Sequence, residues 1–377
     1  MTFSWFELLL LIGITQGLVT SVLLLYSDNN RVSNRYLVLT LIAFCLISIK
    51  MLINILDIAN SNHFFHFLPF ATELAIAPLI YLYSVSLIIQ ENKFRPINVI
   101  HFLPFAFFQL WAIFVYVSVF NIGAFEEKTL IVQSYYYSVT KDIEDYLTVA
   151  SIFAYLSFGF VKLTRYRQYI RDNIAESNYP TFTWLKNVFL LSTGLLVFLI
   201  VNMIISRLTN LQGNSILHWK IYFVYIACII YYLGFKGYKL PRLNIKPSTQ
   251  ELPTKAARKL TPEKIKQVST AFKNNVLDSK LYLDPNINAL ELSKIIGVSQ
   301  STLSYAINQF FGKSFRDFIN ELRIEEVKTS LLDQQHNQTS VLALALECGF
   351  NSEASFYRIF KNSTGMSPKA FSAQNKL

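Results

Sequence analysis

Cysteine is scarce in this chain, and so is charge. The three cysteines, Cys45, Cys228 and Cys348, lie far apart with no CxxC pair among them. That excludes a disulfide framework and a zinc site, and leaves them as small buried hydrophobes. No HExxH, GxSxG or P-loop signature occurs, and the serines, histidines and carboxylates fall at no recognisable catalytic spacing. No enzyme activity, catalytic residue, metal or cofactor is therefore expected. No basic residue precedes Arg31, so the first apolar stretch lacks the charged start of a cleaved secretory signal and is expected to stay as an anchor.

What the chain has instead is apolar sequence, 53% of its 377 residues, and a net charge of +10 placed unevenly. Residues 1–235 carry 14 basic and 12 acidic side chains, a net of +2, whereas residues 236–377 carry 20 and 12, a net of +8. A nearly neutral, aromatic front and a basic tail suit different solvents. Seven apolar runs occupy residues 5–26, 36–59, 68–89, 97–120, 146–163, 184–206 and 219–235, each close to the ~20 residues that cross a hydrocarbon core as helix. Loops on one side hold nine basic residues (Arg31, Arg35, Lys93, Arg95, Lys162, Arg165, Arg167, Arg171, Lys186). The other side holds five (Lys50, Lys128, Lys141, Arg207, Lys220). The bias puts the N-terminus outside and the C-terminus in the cytoplasm of an inner membrane.

Polar residues inside spans are costly and tend to be functional or paired. Lys50, Asn54 and Asp57 in span two, Glu73 in span three, Gln109 in span four and Asn202 in span six are the candidates for a sensor site. Glu73 with Lys50 is either a ligand-binding or switching pair or a structural ion pair. The aromatic stretch SYYYSV at 134–139 reads as an outer loop that binds something outside or sits in the interface.

Residues 240–260, with Pro241, Pro247 and Pro253 among small polar residues, read as an exposed linker. Beyond it the pattern is helical. Thr261 and Pro262 start one helix, Asn288 with Glu291 a second, Ser299 a third and Ser314 with Asp317 a fourth of about 19 residues. The tail then repeats itself. Ser293 and Gly297 match Ala345 and Gly349 at an offset of 52; Leu303, Ile307, Gly312, Ser314 and Phe318 match Phe356, Phe360, Gly365, Ser367 and Phe371 at an offset of 53. A small residue followed four later by glycine suits two helices crossing at a tight turn, with Ser299 and Asn351 as the expected caps of the helices that follow. The expected fold is all-α: a seven-span bundle over 1–239, a linker over 240–260, and over 261–377 two helix-turn-helix units joined by one helix.

The stretch ALECGFNSEASFYRIFKNSTGMSPKAF, residues 345–371, resembles the signature end of AraC/XylS-type transcription regulators, with Ala345, Gly349, Phe350, Phe356, Arg358, Phe360, Lys361, Gly365, Ser367 and Pro368 at the motif positions. YLDPNINALELSKIIGVSQSTLSYAIN and SFRDFINELR resemble the first unit and joining helix of the same domain. APLIYLYSVSL and HFLPF resemble a membrane-bound branch of that family. The resemblance implies sequence-specific binding of double-stranded DNA and control of transcription, with two helix-turn-helix units per chain. With the apolar front, the leading expectation is a one-component membrane sensor in which a signal at the membrane alters how the tethered domain meets DNA. Ser293 stands where that family usually has Ala, and Tyr305 where its first reading helix often has Arg, which removes a fork able to read guanine.

Helical geometry assigns the roles. In the first reading helix Leu303, Ile307 and Phe310 point inward, leaving Gln300, Ser301, Thr302, Ser304, Tyr305 and Asn308 for DNA; in the second, Phe356, Ile359 and Phe360 point inward, leaving Ser352, Glu353, Ser355, Arg358 and Lys361. Expected partners are double-stranded DNA, membrane lipid at Lys236, Lys239, Arg242 and Lys246, RNA polymerase, an unnamed signal ligand and a second copy of the chain. The competing expectation is a seven-span receptor or transporter whose helical tail docks a protein and has no sequence preference.

Overall fold

The computed structural model describes residues 4–27, 31–56, 58, 62–89, 95–174, 182–209, 217–240, 260–333 and 339–375. Helix dominates these residues. Their only extended pairing is one isolated antiparallel bridge, Ile174 with Asn288. The chain divides into two compact units, Met1–Leu163 with Phe182–Pro247, and Thr164–Thr181 with Ser248–Leu377. Most of the expected linker, including its three prolines, and Asp57 in the second apolar run lie outside the described residues.

The first unit is built from α1 (Trp5–Tyr26), α2 (Arg31–Ile55), α3 (Glu73–Ile89), α4 (Leu103–Val119), α5 (Phe125–Ser134), most of α6 (Tyr137–Asn173), α7 (Thr183–Thr209) and α8 (Leu217–Tyr238). Helix α1 opens on a reciprocal cap: the Ser4 N–H donates to Glu7 Oε2 at 2.8 Å and the Glu7 N–H to Ser4 Oγ at 3.5 Å. That leaves fewer orphan amides at the first turn. Helices α1, α2 and α8 then approach closely. A Cβ on Gly17 would sit 2.6 Å from Cys45 Sγ and 2.9 Å from Ile230, and one on Gly13 would lie 3.0 Å from Ala227 Cβ. Buried hydroxyls bond within their own helices, Ser21 to the Gly17 carbonyl at 2.7 Å, Thr40 to Tyr36 at 2.8 Å and Ser48 to Phe44 at 2.9 Å.

Phe6, Leu10, Leu37, Phe44 and Tyr83 are buried beside them. Other large apolar side chains face outward: Ile12, Leu110, Phe153 and Leu190 are each about two-thirds exposed. So much exposed aliphatic and aromatic surface is expected where the surrounding medium is itself apolar. Among the described residues, six helical segments are long and apolar enough to cross a membrane, one of them the stretch Pro96–Val119 that ends in α4, and α3, at 17 residues, is a shorter apolar helix.

Four elements depart from the sequence expectation. The third apolar run does not become helix at residue 68 but at Glu73, because Pro69 interrupts it. Gln109 on α4 satisfies the extended stretch: its Nε2 donates to the Pro69 carbonyl, and its Oε1 accepts from the Ala71 N–H at 3.2 Å. Second, α5 forms where only a loop was expected, so SYYYSV is not a loop: Ser134 ends α5 and Tyr137 starts α6. Third, α6 runs 37 residues, about twice the 146–163 run. Fourth, its early start corrects the pairing of Glu73. The recorded partner is Lys141, at 3.5 Å, and Lys141 also meets Glu144 at 3.0 Å and Asp145 at 3.3 Å. Lys50 lines the same cavity as Lys141 and Glu144. Asn54 is exposed, and buried Asn202 donates to its own helix at the Phe198 carbonyl, 2.7 Å, which is a local structural bond.

The second unit contains α9 (Pro262–Asp278), α10 (Ala289–Ile296), α11 (Gln300–Phe311), α12 (Phe315–Leu332), α13 (Val341–Glu347), α14 (Glu353–Thr364) and α15 (Pro368–Asn375). It has two hydrophobic cores. Val268, Phe272, Leu292, Leu303 and Ile307 close around Phe315 and Ile319 from the first half of α12. Leu344, Ala345, Phe350, Phe356 and Phe360 close around Ile324, Val327 and Leu331 from its second half.

The close approaches of the first unit make a direct test. Gly17→Leu overpacks the contact with α2 and α8 and costs about 1–3 kcal/mol, read as a lower unfolding temperature of the full-length protein in detergent. Gly123→Ala, where an added Cβ meets nothing within 4 Å, leaves that temperature unchanged.

Candidate nucleic-acid interface

Two helix pairs share one plan. In the first, Asn288 Oδ1 accepts the Glu291 N–H at 3.0 Å to start α10, Gly297 ends it in the left-handed region at φ +75°, and Ser299 Oγ accepts the Thr302 N–H at 3.1 Å to start α11. In the second, Ser340 caps α13 at the Ala343 N–H, 3.1 Å, and Ser352 caps α14 at the Ser355 N–H, 3.4 Å. Helices α11 and α14 are both 12 residues long and end on the left-handed glycines Gly312 and Gly365. The caps of α10 and α13 stand 52 positions apart and those of α11 and α14 stand 53 apart, so the extra residue falls in the second turn. The turn pairs Ser293 with Gly297 and Ala345 with Gly349 sit where expected, with Ser293 and Ala345 buried. The cap at the second turn is a correction: Ser352, not Asn351, accepts the helix amide. Asn351 Nδ2 instead donates to the Pro285 carbonyl at 3.1 Å, tying the turn to the first pair.

Gly349 and Arg323 hold the two pairs together. Gly349 has φ +89°, and a Cβ there would meet the Leu283 and Tyr282 carbonyl oxygens at 2.8 and 2.9 Å and Arg323 Nε at 3.0 Å. Arg323, 1% exposed on α12, donates from Nε to the Tyr282 carbonyl at 2.6 Å and from Nη2 to the Asp284 carbonyl at 2.8 Å. Its guanidinium lies 5.9 Å from the centre of the Phe350 ring. Tyr282 donates its hydroxyl to Glu326 Oε2 at 2.9 Å; burial, followed by that carboxylate, pushes its phenol up to about 12. Sequence reasoning missed Arg323 because an arginine in an amphipathic helix reads as solvated surface.

The expected DNA-facing residues divide by exposure. On α14, Glu353, Arg358 and Lys361 are exposed, Ser352 is half-buried at the cap, and Ser355 is buried. On α11, Asn308 is exposed and Ser301, Thr302, Ser304 and Tyr305 are half-buried. Ser301 and Thr302 share the Ser299 hydroxyl at 2.9 and 2.8 Å, so they serve the cap. Phe310 is 47% exposed, and it is Phe311 that packs on the core. One residue unmarked in the sequence joins the surface: Arg316, whose guanidinium pKa is lowered by burial and then by the charge of Arg358. The two guanidiniums therefore act on each other from the start of α12 and the exposed face of α14.

Gln300 is the exception on α11. It is 7% exposed, and its amide is engaged twice by Tyr169 of the Thr164–Thr181 segment: the Tyr169 hydroxyl donates to Oε1 at 2.9 Å and accepts from Nε2 at 2.7 Å. One turn on, Ser304 donates its hydroxyl to Asn173 Oδ1. The sequence placed residues 164–174 in a loop and gave no sign of this contact.

A short helix, a left-handed turn and a longer helix, capped at both starts and built twice around one central helix, define a helix-turn-helix class of protein. The comparisons agree. A family described as a helix-turn-helix domain matches residues 292–374. An uncharacterised HTH-type transcriptional regulator of Staphylococcus aureus strain MSSA476 is 36% identical over 99 residues, 26% of this chain and 13% of that protein. Another, from the cgkA 5′ region of Pseudoalteromonas carrageenovora, is 30% identical over 128 residues, 33% of this chain and 73% of that protein. No solved structure matches. The chain belongs to the HTH-type transcriptional regulators, of the AraC type. It spans 13% of the length of the staphylococcal relatives it matches.

The turn geometry predicts unequal costs for two glycines. Gly365→Ala adds left-handed strain of about 1–2 kcal/mol in open space. Gly349→Ala adds the same strain and drives a methyl into two carbonyl oxygens, so it loses more. Cys348, buried with its thiol pushed up to about 11 chiefly by that burial, provides the readout. Pulsed alkylation followed by mass spectrometry labels Cys348 fastest in Gly349→Ala, more slowly in Gly365→Ala and slowest in the parent chain.

Proposed function

We propose that this protein is a membrane-anchored one-component transcription regulator that binds double-stranded DNA sequence-specifically through two helix-turn-helix units. The observation that carries it is the duplicated pair on one rigid bridge. At 1.5 Å per residue the 18 residues of α12 extend about 27 Å, comparable to the ~34 Å between successive major-groove faces. In this reading α10 and α13 brace, while α11 and α14 enter adjacent groove segments. Asn308 and Gln300 suit adenine edges and Glu353 suits cytosine; Arg358, Lys361 and Arg316 hold phosphates.

The front of the chain is the anchor and sensor. Its apolar exterior supports insertion in lipid, with seven crossings if α3 spans, the N-terminus outside and the basic tail in the cytoplasm. Lys239, whose ammonium lies 4.3 Å from the centre of the Phe235 ring, suits an interface where the stem is apolar and the head meets anionic lipid. Lys50, Lys141 and Glu144 around one cavity, with Glu73 paired to Lys141 and with Gln109, are the candidate sensing residues for an unnamed ligand. RNA polymerase and a second copy of the chain are the further partners proposed.

Crosslinking and sequencing of the DNA bound to the full-length protein in its native membrane tests the reading. The expected result is a few sharp sites, each with two boxes about one helical turn apart. Diffuse or absent enrichment with the protein present and inserted would favour a membrane receptor whose helical tail docks a protein. On an enriched fragment, Arg358→Ala is expected to weaken binding of all sequences alike and to reduce the salt slope by about one. Asn308→Ala is expected to cost about 1–3 kcal/mol and relax preference at one base pair.

A further inference from the structure

The DNA-facing side of the first reading helix is already occupied. Helix α6 has 37 residues, about 55 Å, where ~20 residues suffice to cross a hydrocarbon core. Its end belongs to the same compact unit as the helix pairs. Tyr166, Ile170 and Ile174, at helical spacing, are 3–4% exposed, so this end packs by an apolar stripe. Beside the stripe, Tyr169 and Asn173 stand four residues apart and meet Gln300 and Ser304, also four apart. The matched spacing lays one helix along the other over a full turn, and Ile174 bridges to Asn288 at the start of α10.

The chemistry of the contact imitates a base. Adenine offers an acceptor and a donor side by side, and glutamine reads it through Nε2 and Oε1 together. Here one tyrosine hydroxyl fills both positions on Gln300. A buried amide cannot give up these bonds without replacement partners, and a helix lying along α11 occupies the volume a major-groove wall needs.

We infer that the end of α6 is an intramolecular mask over the first reading helix, and that DNA engagement by this unit requires its displacement. The inference rests on the DNA-binding reading given under Proposed function. The same helix carries Lys141, Glu144 and Asp145 near its other end. Occupancy of the masked state lowers apparent affinity by the fraction of chains that are open.

The test uses the full-length protein in lipid nanodiscs with a fragment enriched by the genomic crosslinking. Tyr169→Phe with Asn173→Ala removes the imitating bonds while leaving the apolar stripe. Each bond lost from the masked state favours the open one, and the combined change is expected to tighten DNA binding roughly 5- to 30-fold. A second variant, Asn173→Cys with Ser304→Cys, locks the mask on oxidation, with the crosslink verified by mass spectrometry. Oxidised protein is expected to bind at least about tenfold more weakly and to recover with reductant. Unchanged affinity in both, with Arg358→Ala still weakening binding, overturns the mask and leaves the DNA reading standing. An unformed crosslink overturns the contact itself. If the crosslink forms but no form of the protein retains DNA, the DNA-binding reading has failed and the mask falls with it.

Discussion

The second unit depends on one buried guanidinium. Arg323 stands midway along α12, where the first core ends and the second begins, and its two bonds go to carbonyls of the 282–284 turn. The Asp284 carbonyl also accepts the Ile287 N–H at 3.2 Å. A buried cation is tolerated because it is hydrogen-bonded and rests against the Phe350 ring. Phe350 lies in the turn of the second pair, and Gly349 beside it has no side chain because carbonyls and guanidinium occupy the space. First pair, bridge and second turn therefore meet at a single point. Breaking one partner of such a contact leaves a charge or carbonyls buried without partners, which costs more than the bond is worth when intact.

On the DNA-binding reading proposed above, this constraint matters because two helices that read adjacent groove segments are useful only at a fixed separation. Apolar cores alone permit sliding; directional bonds from Arg323 and from Asn351 to Pro285 set the register of one pair against the other. The front unit solves a different problem. Many of its bulky apolar side chains face outward while others are buried, and its helices are held by close contact at Gly13 and Gly17 and by locally satisfied polar groups. Expulsion of water need not drive their association. The two units thus differ in their surfaces: both bury apolar side chains, and the front unit also exposes many.

Much of this was legible in the sequence. The repeat offsets, the glycines that end α10, α11 and α14, the caps Ser299 and Ser314, and α1 over 5–26 all follow from local chemistry that depends on a few neighbouring residues. What was not legible depends on residues distant in sequence. Pairing of Glu73 with Lys141 requires knowing that α6 starts at Tyr137. The cap at Ser352 rather than Asn351 turns on Asn351 having a partner 66 residues away. Phe310 and Phe311 are adjacent and equally apolar, so only the packed neighbours decide which points in. Arg323 and the Tyr169–Gln300 contact were missed for the same reason: each side chain alone is ordinary surface, and its role appears only when a remote segment is beside it.

The central claim is that one chain reads DNA with two helix pairs at a separation set by α12. Hydroxyl-radical footprinting of the full-length protein in lipid nanodiscs, on a fragment it binds, tests this most directly. The account predicts two protected tracts on one face of the duplex, centred about one helical turn apart, with Lys361→Ala and Arg358→Ala thinning only one of them. A single short tract, or two tracts that thin together, would contradict it.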